Sequence, residues 1–131
     1  MGMYTEIYVN VDLRENTPKD VIETLKAMCT NNFNSWLLLD KPSRWRYMFH
    51  SGSCYTPKTE CGLLTWDKIG NQWSLLAKGD IKNHESEIEA FFEWIMPYVE
   101  GEAGDFIGYR RYEESKTPTL VFLSDVGVRH E

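Results

Sequence analysis

Thr5-Glu6-Ile7-Tyr8-Val9-Asn10-Val11-Asp12-Leu13 is the stretch that decides the fold class. Ile7, Val9, Val11 and Leu13 fall on one face and Glu6, Tyr8, Asn10 and Asp12 on the other. A period of two is that of a β-strand with one side buried and one side wet. A sheet of such strands needs cover on a single face, which helices with one apolar stripe supply.

Immediately downstream, Thr17-Pro18-Lys19-Asp20 carries helix-start chemistry: a hydroxyl able to cap, a proline suited to the first turn and an acid at the positive end of the dipole. Val21, Ile22, Leu25, Met28 and Cys29 then follow helical spacing, so an amphipathic helix runs to about Cys29. Asn83 can cap a second helix, in which Ile88, Phe91, Phe92, Ile95 and Val99 recur on one face up to about Met96, where Pro97 disturbs the end.

Between the helices, Trp36 to Leu39 is a short apolar piece whose type the pattern leaves open. Trp45 to His50 alternates as a strand would, and Gly62 to Lys68 with Gln72 to Asp80 reads as a hairpin turning at Ile69-Gly70-Asn71. Phe106 to Glu113 and Thr119 to Ser124 form a last hairpin, and residues 125–131 are expected to be a loose tail.

The expectation is an α+β fold: an antiparallel or mixed sheet of about five to six strands with two helices packed on one face. The layout resembles a ferredoxin-like arrangement with an inserted hairpin, a resemblance that implies fold and no function. A length of 131 residues suits one domain over 1–131, with residues 1–3 a tag or disordered start.

Composition narrows the class. With 42% hydrophobic and 14% aromatic residues the chain can offset its ordering entropy, which excludes disorder. No apolar run approaches the roughly 18 residues of a membrane span, and no secretory layout opens the chain, so a cytoplasmic protein without membrane contact is expected. Cys29, Cys54 and Cys61 are odd in number and loosely spaced, which fits free thiols better than a disulfide framework.

Charge is unevenly placed. Residues 83–109 hold seven of the chain's 20 acids and none of its 14 lysines and arginines, so the whole formal charge of −6 originates there. At about 100° per residue, Glu85, Glu89 and Glu93 form a stripe beside the apolar face, while Glu87, Trp94 and Tyr98 line the opposite flank. Like charges four apart cost a helix roughly 0.2 to 0.5 kcal/mol per pair, and Glu93 lies too far along to benefit from the dipole. A contact surface for a basic protein partner is one reading of this local cost; a solvated face is the other. The same acidity argues against direct nucleic-acid binding, which needs clustered lysine and arginine.

Other constellations carry less. Arg44, Trp45, Arg46 and Tyr47 interleave bases and aromatics as a single-strand binder would, but ordinary strand alternation gives the same pattern. His50, Cys54 and Cys61 lack the tight cysteine pair of structural zinc sites, and no flanking signature supports a cysteine nucleophile. Glu113 and Glu114 beside Arg110 and Arg111 point to opposite faces as strand neighbours, so they make no two-carboxylate site. Phosphate-loop, dinucleotide, HExxH, GxSxG and EF-hand patterns do not occur.

The functional expectation is a small non-enzymatic protein-binding or accessory protein, of the phage or prophage type by size, without cofactor or metal. Glu85, Glu89, Glu93, Trp94 and Tyr98 are its candidate contact residues. The alternative is a small-molecule-binding or catalytic pocket walled by Trp36, Trp45, Trp66 or Trp73 near His50. Homodimerisation through an edge strand is a third expectation.

Overall fold

The computed structural model describes residues 4–30, 36–49, 62–83, 85–125 and 127–131. The strand read from the first stretch is β1 (Thr5–Leu13), with Ile7, Val9 and Leu13 buried and Asn10 and Asp12 exposed. It is followed by α1 (Lys19–Cys29), β2 (Gly62–Asp67), β3 (Gln72–Ile81), α2 (Glu87–Ile95), β4 (Phe106–Tyr112), β5 (Thr119–Ser124) and β6 (Gly127–His130).

The six strands form one sheet in the order β2-β3-β1-β4-β5-β6, antiparallel at every pairing. β3 lies between β1 and β2, so the chain from β1 to β4 follows the β-α-β-β-α-β split order of ferredoxin-like folds. The added strands are β5 and β6, appended beyond β4 as a meander. The fold class expected from alternation therefore holds, with both helices against one face.

Two local readings need correction. Ser43–Tyr47 is a 3-10 helix following Pro42, not the start of a strand. Its Trp45 is buried against Phe91 and Trp94 in edge-on contacts at 5.6 and 5.3 Å, and its indole N–H donates to the Glu87 carbonyl at 3.1 Å. One short turn is enough to bury a single tryptophan, and it mimics alternation over four residues. The expected loose tail contains β6, whose residues pair with β5 from Val121↔His130 to Ser124↔Gly127.

Smaller details refine the helix ends. Thr17 does not cap α1: its hydroxyl donates to the Arg14 carbonyl, and the N-cap position is Pro18. Asn83 does serve α2, its Oδ1 accepting the Ile88 N–H at 2.9 Å, although the N-cap position is Ser86 in a left-handed conformation. Trp36–Leu38, left open by the pattern, is a 3-10 turn.

The core lies between the helices and the inner sheet face. Leu25 and Met28 of α1 and Ile88, Phe91, Phe92 and Ile95 of α2 have no exposed surface, nor do Ile7, Val9 and Leu75 beneath them. At 25 cal/mol per Å² of apolar area, each such side chain contributes about 1.5 to 3 kcal/mol before entropy is counted. No helix of the described residues is long and apolar enough to cross a membrane.

Candidate functional site

α2 gives the predicted contact residues their positions. Its four fully buried side chains set the rotation of the helix, so the residues between them are divided between two flanks. On one flank stand Glu89 and Glu93. Glu93 is exposed, whereas Glu89 is half-buried and its Oε1 accepts from Asn83 Nδ2 at 2.7 Å. Glu85 precedes the helix and is exposed. Among the described residues no lysine or arginine lies within ion-pair distance of these three carboxylates.

Facing that flank are β4 and β6. Arg110 Nε donates to His130 Nδ1 at 3.2 Å, and the His130 ring meets Phe92 edge-on at 6.3 Å. A His130 that accepts at Nδ1 is neutral, with its proton on Nε2. Burial and then the Arg110 charge lower the His130 pKa from its ordinary 6.5, against an opposing pull from Glu89 and Glu93. The stripe read from sequence is thus not uniform: Glu85 and Glu93 face outward, while Glu89 is tethered beside a histidine that the sequence placed in a loose tail.

The opposite flank is aromatic, as its residues promise. Trp94 is half-buried against Trp45 and Phe91, and Lys41 Nζ sits 5.7 Å from its ring centroid. Tyr98, also half-buried, packs against the core and accepts the Arg14 N–H through its backbone carbonyl at 2.9 Å. These two side chains are consequently part of the packing as much as of the surface.

Sequence reasoning missed the pairing of Glu87 with Arg44, 43 residues apart. Glu87 is 3% exposed; Arg44 Nη1 lies 3.4 Å from its Oε1, which also accepts the Glu85 N–H at 2.8 Å, while Oε2 has no hydrogen-bond partner. A buried carboxylate needs such a partner, because an uncompensated charge is expensive away from water. No local signal in the sequence joins the two residues.

The tryptophans expected to wall a pocket separate. Trp45 fills the core, Trp66 and Trp73 meet edge-on at 5.3 Å on β2 and β3, and Trp36 lines a hollow. That hollow, about 420 Å³, is bounded by Asp20, Thr24, Trp36, Leu39, Asp40 and Lys41, with Trp36 75% and Leu39 72% exposed. A second hollow of about 260 Å³ lies where Asp12, Glu100 and Asp105 meet Phe106 and Leu123.

His50, Cys54 and Cys61 fall outside the described residues. The Cys29 thiol is buried, and burial pushes its pKa up to about 12, the opposite of what a nucleophile requires. Arg110 and Arg111 divide between the faces as strand neighbours must: Arg111 Nε pairs with Glu6 Oε1 at 3.2 Å, and the Glu113 carboxylate accepts the Tyr4 N–H. No protein-family model matches the chain, and neither a curated protein nor a solved structure does.

Proposed function

We propose that this domain is a non-enzymatic protein-binding module whose α2 side receives a basic partner. The observation that supports it is the unneutralised state of Glu85 and Glu93, which stay exposed without a basic side chain in reach among the described residues. The acidity continues past the helix into exposed Glu100, Glu102 and Asp105, of which Glu100 alone meets a base, Arg14 at 3.9 Å. Exposed pairs of that length contribute little, so the strip keeps its negative potential and attracts cationic surfaces over roughly a Debye length of 8 Å.

Glu89 belongs to the internal network with Asn83 and is not a contact residue in this reading. The informative variant is therefore Glu85→Lys with Glu93→Lys and Glu102→Lys. Pull-downs with the wild-type and reversed chains, both in reducing buffer as suits a cytoplasmic protein, should differ by the loss of partners of high isoelectric point. An identical set of captured proteins would count against the acidic surface.

A second reading has one observation in its favour, the exposed Trp36 over the hollow that Asp20 and Asp40 help to line. An aromatic face beside two carboxylates suits an organic cation. Titration with a tetraalkylammonium salt should then raise the melting temperature of wild type and leave Trp36→Ala unmoved.

A further inference from the structure

Among the described residues His130 is the only histidine, and strand register places it where three elements meet. It stands opposite the buried Val121 of β5, on the helix-covered face of the sheet. Its Nδ1 accepts the Arg110 Nε–H at 3.2 Å from β4, across the intervening β5, and its ring meets Phe92 of α2 edge-on at 6.3 Å. Glu89 and Glu93 stand three residues before and one residue after that phenylalanine, about one turn or 6 Å apart along the helix axis. Glu93 Oε2 reaches over the start of β6, 3.5 Å from where a Cβ on Gly127 would lie. The remaining surroundings add no charge to this corner among the described residues. β5 has no ionisable residue, the Met96–Tyr98 turn beside β6 brings only Tyr98, and Arg129 and Glu131 pair with each other at 3.3 Å, with Arg129 over the Phe122 ring.

The bond from Arg110 exists in one protonation state only. A neutral imidazole accepts at Nδ1, whereas an imidazolium carries N–H at both nitrogens and would present a donor to the Arg110 donor. We propose that His130 is a proton-operated switch of bonding partner. Neutral, it accepts from Arg110 and ties β6 to β4; protonated, it releases Arg110 and donates to the Glu89 or Glu93 carboxylate, tying β6 to α2. The proton comes from solvent, and only hydrogen bonds are exchanged.

Electrostatics drives the exchange in the stated direction. In the neutral state one partner of the bond is ionised; in the protonated state both are, and such bonds are shorter and stronger. Two cations facing each other beside two carboxylates are relieved by the same movement, and both carboxylates already pull on the ring, against burial and the Arg110 charge. The formal charge summed over Arg110, His130, Glu89 and Glu93 goes from −1 to 0, so acidification takes one unit of negative charge from the α2 flank. The switch does not depend on what the acidic strip binds.

Nitrogen-15 spectra of the imidazole and guanidinium groups of the full chain, recorded from about pH 8 to about pH 4.5, test the assignment. At the alkaline end His130 should carry its proton on Nε2, with Nδ1 unprotonated. The Arg110 Nε–H resonance should then shift with the same midpoint as the His130 ring. Glu93→Gln, at an exposed position, should lower that midpoint by about 0.3 to 0.5 unit and the double Glu89→Gln, Glu93→Gln variant by about one, whereas Arg110→Gln should raise it. A histidine that only packs would titrate without moving Arg110 or answering to Glu93. An Nδ1–H tautomer at the alkaline end overturns the proposal, as does an Arg110 resonance blind to the titration. So does a midpoint unmoved by Glu93→Gln, the variant that decides the matter should the double one not fold, because the imidazolium then turns to water and not to the helix.

Discussion

Gly108→Ala is the substitution for which the structure makes the sharpest demand. Gly108 sits on β4 next to the irregularity that shifts its register against β5, and it pairs with Val9 on the inner face. A Cβ built there would lie 2.1 Å from the Tyr8 carbonyl oxygen and 3.2 Å from Phe92 Cζ. The first neighbour is backbone, so relief requires β1 and β4 to move apart, disturbing the Tyr8–Tyr109 stack on one side and the α2 packing on the other. Overpacking of this kind costs about 3 kcal/mol, the upper part of the usual range, and outweighs the 0.4 to 1 kcal/mol gained from a stiffer unfolded chain. With an unfolding entropy of about 2.1 cal/mol/K per residue over the 131-residue chain, 2 to 3 kcal/mol corresponds to a fall of about 7 to 11 °C in melting temperature. Calorimetry or circular dichroism measures it. Gly104→Ala is the control: φ is +98° but nothing lies within 4 Å, so only backbone strain of about 1 to 2 kcal/mol is expected. A Gly108→Ala protein melting within about 2 °C of wild type would refute the close approach.

Three further outcomes follow from the buried polar groups. Arg44→Ala should cost about 1 to 3 kcal/mol by leaving the buried Glu87 carboxylate without its cation, and adding Glu87→Gln should restore most of it, as a double-mutant cycle in urea would show. Because the folded pKa of His130 is lowered, the unfolded chain binds its proton first: the stability it contributes is present above about pH 6.5 and is lost as pH falls toward the folded value. Melting temperatures between pH 7.5 and 5 should therefore fall less steeply in His130→Gln than in wild type; parallel curves would exclude the contribution. Cys29, with its thiol pushed up to about 12, should resist iodoacetamide at pH 8 in the native chain and react in denaturant, as read by peptide mass spectrometry.

The amino-acid order alone determined what depends on local periodicity. Alternation in Thr5–Leu13 and helical spacing in Val21–Cys29 and Ile88–Ile95 were enough to state two helices on one face of a sheet, because each pattern has one way to bury its apolar side. Turn chemistry placed the hairpin at Asn71, which adopts a φ of 53°. Tertiary structure decided the rest. Trp45 lies in a 3-10 turn because its neighbours are Phe91 and Trp94, and β6 is a strand because β5 offered an unpaired edge. Glu87 met Arg44 and Glu89 met His130 only through the chain's path, and the outer face of the sheet is assembled by register from residues up to 114 positions apart, from Tyr8 to Phe122. Periodicity assigns each residue a face, but which strands lie side by side is a matter of long-range pairing, and that no local pattern encodes.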